Sequence, residues 1–516
     1  MAILACAGVY SLVSAPGLPF GQDQTQPIAT TQPDPTATPI ENLTPQITNL
    51  PGAGGTPTTV LTPTMTPSQV VNKTEVSPTN TAPYLYYVQA GDTLQTLAIR
   101  FAVKPEEITS PDSISQTGLI NPGQLLIIPH RLSNISSATH ILPDSEVVNS
   151  PSAINFDIEA FVKQAGGYLS QYSEYLGTTG TTSGAQVIER VATEFSVNPR
   201  LLLALLEYHS HWVYGQPTNL AETDYPMGHV DINTKGLYFQ MSWVVSQLSE
   251  GYYGWRDGTV TEVTFPDKTT LRLAPDLNAG SVGLQYLFAD MYDLPLWAGA
   301  LNPEDGFPAL EIKMFGNPWL RSQGVEPLYP ANLTQPVLTL PFYPGVIWSF
   351  SGGPHAAFGA AGALAAFDFA PAGIQSGCYQ SNAWVAASAG GLVVRAGYNQ
   401  VVIDLDGDGY EQTGWTILYM HVATDGMVAK GTRVSAGDFL GHPSCEGGSA
   451  TGVNLHVARK FNGEWLPADS VIPFVMSGWQ PHAGDKPYEG TLTKGDQVVT
   501  ADVFGTPETN ISLPRP

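Results

Sequence analysis

Basic residues are scarce in this sequence. Its 516 residues include 21 Lys and Arg against 45 Asp and Glu, so the formal net charge is −24. Nucleic-acid binding depends on clustered Lys and Arg that neutralise phosphates, and the sequence contains no such cluster. We therefore expect no nucleic-acid partner.

Cysteine is rarer still, and three residues in so long a chain set no disulfide framework. Cys378 and Cys445 both lie in the C-terminal part of the chain and are predicted to pair, which would suit an oxidising exterior. Two buried thiols are the alternative.

Long apolar runs are absent as well. No stretch of about twenty apolar residues occurs, so the sequence predicts no transmembrane helix. Residues 1–20 are mostly small and apolar but lack the basic start of a signal peptide. We interpret them as the rear part of an export signal or, because of Cys6 and the residues before it, as a lipoprotein-like anchor. Both interpretations predict an exported protein.

Residues 21–83 contain very few charges and are dominated by Thr, Pro, Gln, Asn and Ser. Such a segment cannot bury enough apolar surface to offset the entropy lost on ordering. Its scattered prolines keep the chain extended. The sequence therefore predicts a disordered, semi-rigid linker that holds the later domains away from an anchor.

Residues 84–131 are predicted to form one compact module. A strand-like segment runs into Gly-Asp-Thr-Leu at residues 91–94, where Asp92 or Thr93 can cap a helix. The segment closes with Asn-Pro-Gly-Gln at residues 121–124 and a second strand. Both ends resemble those of the LysM module, a βααβ fold that binds glycans containing N-acetylglucosamine. The resemblance implies a glycan groove lined by Gly91, Asp92, Thr93, Ile120 and Asn121.

Residues 155–325 are predicted to be mainly helical, since apolar residues recur at helical spacing and Asn198 with the proline after it opens one helix. The helix at 201–210 resembles the one that carries the acid of lytic transglycosylases. His209 stands where those enzymes have a glutamate, and Glu207 points to another helical face. The resemblance implies a lysozyme-like domain without that activity. An unrelated helical spacer is the alternative.

Residues 335–475 are rich in short strands separated by turns. Four motifs follow one another: Gly-Gly-Pro-His ending at His355, Phe-Asp-Phe around Asp368, Leu-Tyr-Met-His ending at His421, and Gly-Val-Asn-Leu-His ending at His456. Together they resemble the lysostaphin/LytM family of zinc endopeptidases that cut peptidoglycan. The resemblance implies an antiparallel all-β peptidase domain.

The resemblance also implies a role for each residue. His355, Asp368 and His456 would hold zinc, since two histidines and one carboxylate with an open fourth position make a catalytic site. His421 would assist as a general acid or base. Side chains two residues apart on a strand point to one face, so residue 454 would lie beside the metal with His456.

Two features depart from the family pattern. Twelve residues, many of them Ala or Gly, separate His355 from Asp368, where the family often has three, and we interpret them as an insertion. Asn454 stands where the family has a histidine, and an amide cannot take up and return a proton near neutral pH. Loss of one acid/base partner costs about two to four orders of magnitude in rate. The alternative function is therefore a catalytically inactive LytM-fold protein that binds the wall and regulates another hydrolase.

An acidic loop offers a second candidate metal site. Asp404, Asp406 and Asp408 alternate with other residues, as at the start of a calcium-binding loop, and a glycine takes the sixth place. The twelfth place needs a glutamate but holds Trp415, so a plain acidic hairpin turn is the alternative. The last residues, 476–516, form a polar tail with strand-like stretches and no predicted role.

The sequence as a whole predicts an exported, modular protein of the bacterial cell wall. A linker leads to a LysM glycan anchor, a helical domain and a zinc metalloendopeptidase domain. The expected partner is peptidoglycan, bound through its N-acetylglucosamine glycan and cut in its stem or cross-bridge peptide.

Overall fold

The computed structural model describes residues 82–373 and 377–515. The export signal or anchor predicted at 1–20 lies outside these residues, and so does all but the end of the linker predicted at 21–83. Within the described part of the chain, no helix has the length and apolar character needed to cross a membrane.

The first described module is a two-stranded antiparallel sheet with one helix. Strand β1 (Tyr84–Tyr87) pairs with β2 (Leu125–Ile128), and α1 (Leu94–Phe101) packs its apolar face against them. Thr93 caps α1, because its hydroxyl accepts from the Thr96 N–H while the Thr96 hydroxyl accepts from the Thr93 N–H. The predicted helix start is therefore set by reciprocal side-chain bonds.

The structure differs from the predicted βααβ layout in its second helix, which is reduced to a single 3-10 turn, Pro105–Glu107. In the segment that follows, the Ser110 hydroxyl donates to the Leu125 carbonyl at 2.8 Å and accepts from the Gln124 side chain at 3.1 Å. Both partners of Ser110 lie at the start of β2 or directly before it. The two bonds fix the segment as a loop against β2.

Helices dominate the region that follows, and Asn198 caps one of them as predicted, with Pro199 in its first turn. The α-helices are α2 (Ile158–Ala165), α3 (Gly184–Phe195), α4 (Pro199–Ser210), α5 (Leu220–Asp224), α6 (Leu237–Asp257), α7 (Ala279–Met291), α8 (Leu294–Ala300), α9 (Phe307–Phe315) and α10 (Pro318–Arg321). Two antiparallel hairpins interrupt them, β3 (Ser173–Leu176) with β4 (Gly180–Ser183) and β5 (Glu262–Thr264) with β6 (Thr270–Arg272). Short 3-10 helices lie at Asp144–Glu146, Pro151–Ala153, Tyr168–Ser170, Ile232–Thr234 and, near the C-terminus, Pro507–Thr509. We call the segment 140–331 the helical region.

An antiparallel sheet dominates the C-terminal part. The strands there are β7 (Ile347–His355), β8 (Ala366–Pro371), β9 (Val385–Ala386), β10 (Gly391–Gly397), β11 (Gln400–Asp404), β12 (Trp415–Met420), β13 (Arg433–Val434), β14 (Phe439–Gly441), β15 (Leu455–Phe461), β16 (Glu464–Trp465), β17 (Gln480–Ala483), β18 (Gly490–Lys494), β19 (Gln497–Thr500) and β20 (Asn510–Ser512). The main sheet has the order β13-β10-β11-β12-β15-β8-β7-β20, and β16 also pairs with β15. The polar tail thus supplies a small sheet, β17-β18-β19, and the edge strand β20.

Alternation along the central strands gives the main sheet two apolar faces. In β11, Val401 and Ile403 lie in a core formed by the C-terminal part of the chain, whereas Val402 lies in the core of the helical region. In β12, Leu418 and Met420 also join the helical core. The sheet and the helices therefore share one core.

Buried polar bonds reinforce this shared core. The Lys460 ammonium in β15 pairs with Glu411 at 3.1 Å and donates to the Ser196 hydroxyl at 3.1 Å, directly after α3. Burial works to raise the pKa of Glu411, but Arg395 and Lys460 outweigh it and lower the pKa to about 2. The helical region is thus tied to the strand that also carries His456.

Candidate metal centre

Neighbouring strands bring His355, Asp368 and His456 together. β15 pairs with β8 so that His456 lies opposite Asp368, and β7 pairs with β8 on the other side. A register shift between Gly352 and His355 interrupts the ladder at the end of β7. Residues 356–365 form the loop between the two strands, so the twelve-residue spacing leaves the predicted ligands adjacent.

The polar atoms of these three buried side chains form a tight triangle. His355 Nε2 lies 2.9 Å from His456 Nδ1 and 3.4 Å from Asp368 Oδ1. His456 Nδ1 lies 3.2 Å from the same carboxylate oxygen. The structure therefore brings together the three residues that the sequence proposed as ligands.

The outward nitrogens of both rings are hydrogen-bonded to backbone carbonyls. His355 Nδ1 donates to the Gly353 carbonyl at 2.8 Å, and His456 Nε2 donates to the Ala357 carbonyl at 2.9 Å. Because a carbonyl oxygen only accepts, each bond places a ring proton outward, and in the neutral ring this leaves a lone pair on the inward nitrogen. Two nitrogen lone pairs and a carboxylate thus face one another.

The electrostatics of this cluster favour a positive charge at its centre. Asp368 Oδ1 is buried and has no hydrogen-bond partner. Burial works to raise the pKa of Asp368, but the facing imidazoles of His355 and His456 outweigh it and hold that pKa well below its usual range. Burial works to lower the pKa of His355, and Asp368 outweighs this and raises it. The donor set and the unpartnered oxygen fit a zinc ion.

His421 directly follows β12 and has a φ of 62°, a left-handed conformation that is uncommon outside glycine. Its Nδ1 donates to the Glu446 carbonyl at 3.1 Å, and its ring centre lies 6.3 Å from that of His456. Burial lowers the pKa of His421, and neighbouring His456 lowers it further. The ring is therefore neutral near pH 7, with Nε2 able to accept a proton.

Asn454 lies two residues before His456 and lines the same cleft. Its backbone N–H donates to the Ser444 carbonyl at 3.2 Å. Its Oδ1 is buried and has no hydrogen-bond partner. The amide can donate or accept one hydrogen bond here, but it cannot transfer a proton.

Tyr488 is a site residue that the sequence did not indicate. It lies between β17 and β18 with a φ of 72°, and its ring stacks on His355 with 3.9 Å between the ring centres. The Gly353 N–H donates to the Tyr488 carbonyl at 2.7 Å, which fixes the loop against β7. Burial raises the pKa of Tyr488, and Asp368 raises it further, so the hydroxyl keeps its proton. No motif marks this residue, because the contact exists only after the tail folds back onto the sheet.

The centre opens into a cleft of about 1410 Å³. This exceeds the roughly 300–1,000 Å³ of most small-molecule sites, so the cleft suits an extended substrate. The loop at 447–454 and the tail line it on the sheet side. The helical region supplies the opposite wall, with Leu176, Gly177, Thr178, Arg190, Glu194, Tyr238 and Phe239.

The structure joins Cys378 and Cys445 in a disulfide. Cys445 directly precedes Glu446, whose carbonyl accepts from His421, and the cleft-lining loop at 447–454. The bond therefore ties down a loop that borders the candidate site.

The five predicted glycan-binding residues lie on two adjacent loops, since the Ile120 N–H donates to the Asp92 carbonyl at 3.0 Å. Asp92 and Ile120 are buried, Gly91 and Thr93 are half-buried, and Asn121 is exposed. The Asp92 carboxylate pairs with Arg100 at 2.7 Å and accepts from the Tyr86 hydroxyl at 2.6 Å.

The helical region contacts the first of these two loops. Arg256 of α6 donates to the Ala90 carbonyl, and a methyl group on Gly91 would lie 2.5 Å from the Tyr329 hydroxyl. Asn121 is the one of the five predicted residues that is exposed to solvent.

Asp404, Asp406 and Asp408 also lie close together, with ligand atoms within 4.8 Å of one another. Asp404 accepts from the N–H groups of Asp406 at 3.2 Å, Gly407 at 3.2 Å and Gly409 at 2.8 Å. The acidic hairpin turn, the alternative to a calcium loop, accounts for these bonds without an ion.

Glu207 and His209 occupy structural positions in the helical region. The Glu207 carboxylate accepts from the N–H groups of Val213 at 2.9 Å and Tyr214 at 3.0 Å. His209 Nδ1 lies 3.2 Å from the Tyr292 hydroxyl. The Glu207 carboxylate thus fixes the backbone that follows this helix.

Comparisons with known proteins agree with this organisation. The family model described as "LysM domain" matches residues 86–129, and the model described as "LasA, N-terminal domain" matches residues 140–331. Protease LasA of Pseudomonas aeruginosa is 26% identical over 332 residues, which cover 60% of this chain and 71% of that protein, for strain PAO1 and likewise for strain UCBPP-PA14.

Solved structures with a similar part include an M23 metalloprotease, pseudoalterin, from the deep sea, with 21% identity and a TM-score of 0.28 over 33% of this chain and 96% of that one. The catalytic domain of lysostaphin from Staphylococcus simulans has 24% identity and a TM-score of 0.18 over 23% of this chain and 87% of that one. The family match confirms the predicted LysM module, and the similarity to Protease LasA agrees with the predicted peptidase.

Proposed function

We propose that this protein is an exported zinc metalloendopeptidase that hydrolyses peptide bonds of bacterial peptidoglycan. The observation that carries the proposal is the unpartnered Asp368 oxygen facing two imidazole lone pairs at the base of a large cleft. Such an arrangement is unfavourable without a cation and is the donor set of a catalytic zinc site.

His355, Asp368 and His456 would hold the metal. A zinc ion at this place supplies a Lewis acid that polarises a peptide carbonyl and lowers the pKa of water. The two carbonyl acceptors, at Gly353 and Ala357, keep both rings in the ligating tautomer. The protein's first contribution is therefore to orient the two imidazole rings of the ligands.

Proton transfer falls to His421. Its pKa is lowered, so near pH 7 the neutral ring accepts the proton of the attacking water at Nε2 and then returns it to the leaving amine. Asn454 donates a hydrogen bond to the substrate, and the protonated Tyr488 hydroxyl donates to charge that develops on the carbonyl oxygen. One of the family's two proton carriers is thus replaced by a hydrogen-bond donor.

The LysM module supports peptidoglycan as the substrate. Binding of the glycan would raise the local concentration of stem or cross-bridge peptide at the cleft, so a slow catalytic site can still act on the wall. A cleft larger than most small-molecule sites suits a cross-linked peptide. The place of action would then be the bacterial cell wall, outside the cell.

The test uses the purified full chain, because the sheet and the helices share a core. We expect about one zinc per chain and the release of new amino groups from purified peptidoglycan, both abolished by a chelator and restored by zinc. Zinc binding without amino-group release would contradict the peptidase and favour the alternative function, an inactive LytM-fold protein that regulates another hydrolase. A chain that binds no zinc would overturn the proposal.

A further inference from the structure

One loop links the helical region to a metal ligand. Residues 356–365 connect β7 to β8, and the Ala357 carbonyl in this loop accepts from His456 Nε2 at 2.9 Å. That bond decides which nitrogen of His456 faces Asp368, because the proton-bearing nitrogen is the outward one. The position of the Ala357 carbonyl therefore sets the orientation of the His456 ring.

Phe195, the last residue of α3, contacts the loop next to this carbonyl. Its ring meets that of Phe358 edge to face, with 4.8 Å between the ring centres. Gly359 follows with a φ of 74°, and a methyl group there would lie 2.8 Å from Phe195 Cε1. The backbone at Gly359 thus lies so close to the Phe195 ring that a side chain at residue 359 would not fit.

The far end of the loop is also held by helices. Gly362 has a φ of 118°, and a methyl group there would lie 3.3 Å from Ser249 Cβ of α6. Ala363 and Ala365 are buried in the core that the sheet shares with the helices. Contacts with α3 and α6 therefore hold both ends of the loop.

Phe195 itself has little freedom. It is buried, and its carbonyl accepts from Trp465 Nε1 at 3.1 Å, which ties the end of α3 to β16. A fixed ring can hold the neighbouring carbonyl in place, whereas a mobile ring could not.

We propose that Phe195, acting through Phe358, is a positioning residue for the metal centre, and that the helical region is part of the zinc site's support. This inference rests on the proposed function, since it concerns the affinity of the same centre for zinc. Loss of a residue that orients a ligand typically lowers metal affinity by about 10- to 100-fold.

The experiment measures the zinc dissociation constant of the full chain by competition with a chelator, together with the melting temperature of the metal-free protein. We expect Phe195→Ala to weaken zinc binding by about tenfold or more. Phe195→Leu should keep most of the zinc affinity that the alanine variant loses. Phe288→Ala is the matched control, because Phe288 is buried among Tyr208, Tyr292 and Phe307 in the helical region. It should lower the melting temperature while zinc affinity stays within about twofold of the unaltered value, as distant sites act independently.

Phe358→Ala, a change at a half-buried loop residue, tests the same contact if Phe195→Ala fails to fold. The double variant should lose little more zinc affinity than the stronger single one, because both changes break one contact. Three outcomes would overturn the positioning role and leave the peptidase proposal intact. They are losses of zinc affinity that add up in the double variant, an unchanged zinc affinity in Phe195→Ala or Phe358→Ala, and an equal loss of zinc affinity in Phe288→Ala. An unaltered chain that binds no zinc would overturn both.

Discussion

Within residues 82–373 and 377–515, two groups of three side chains each bring their polar atoms within 4.8 Å of one another, but they satisfy those atoms differently. In the acidic hairpin turn, backbone N–H groups donate to Asp404, and the Thr413 hydroxyl donates to Asp408 at 2.7 Å. In the candidate metal centre, the outward ring nitrogens donate to backbone carbonyls and the Asp368 oxygen has no hydrogen-bond partner.

The difference shows that closeness alone does not make a metal site. In the turn, Asp404 and Asp408 already accept hydrogen bonds, and Asp406 and Asp408 are exposed to water. The other cluster is buried and consists of acceptors only, so it lacks the positive partner that its geometry requires. Four predictions test this contrast.

The largest expected effect separates the two clusters directly. Asp368→Ala should abolish zinc binding and lower the rate of peptide release by about a thousandfold or more, because the Lewis acid is lost. Asp408→Ala, a carboxylate removed from the exposed turn, should leave both quantities within about twofold. Zinc content and amino-group release are measured for both variants. An equal loss of zinc in both would refute the distinction between the two clusters.

His421→Ala should lower kcat/KM by about two to four orders of magnitude while zinc stays bound, because the proton carrier is removed and the ligands remain. Since its pKa is lowered, His421 stays neutral as the pH falls below 6.5, and the acid limb of the kcat/KM profile should lie below that pH. His442→Ala is the control, since His442 Nδ1 lies 2.7 Å from the Ala383 carbonyl and the residue does not line the cleft. An acid limb above pH 6.5 would count against this role.

Asn454→His should raise the rate by about tenfold or more if the missing proton carrier limits turnover. Asn454→Gln adds length but no titratable group, so it should give no gain. Steady-state rates on purified peptidoglycan compare the two. An unchanged rate in the histidine variant would mean that His421 already suffices.

The smallest effect concerns the choice of metal. Excess zinc should raise the melting temperature of the metal-free chain by roughly 4 to 5 °C, as expected for about 4 kcal/mol of binding energy at a thousandfold excess over Kd. Calcium should shift it by less than about 1 °C, because Asp404 already accepts from backbone amides. Differential scanning calorimetry measures both, and a comparable calcium shift would support the calcium-loop prediction instead.

The sequence predicted those parts of the molecule whose signal is local. The Gly-Asp-Thr-Leu and Asn-Pro-Gly-Gln segments identified the LysM module, and the motifs around His355, Asp368, His421 and His456 indicated the peptidase. Each motif spans a few adjacent residues, so its chemistry can be recognised before the fold is known. Helical periodicity likewise predicted the helical region, and the family model that matches there is that of the LasA N-terminal domain.

Features that depend on distant contacts could not be predicted. Tyr488 reaches His355 only because β17 and β18 fold back, and Phe195 reaches the Ala357 loop only because α3 packs on the sheet. The second LysM helix was predicted from the family layout, whereas Ser110 side-chain bonds fix that segment as a loop. The lysozyme-like assignment rested on one helix and stays a prediction.

The core shared by sheet and helices has a consequence for handling the protein. A fragment that begins after the helical region would expose the apolar side chains Val402, Leu418, Met420 and Trp465 to water. Such a surface promotes aggregation. We therefore expect the two halves to melt in a single cooperative transition, with hydrogen-exchange protection in β12 as strong as in α6.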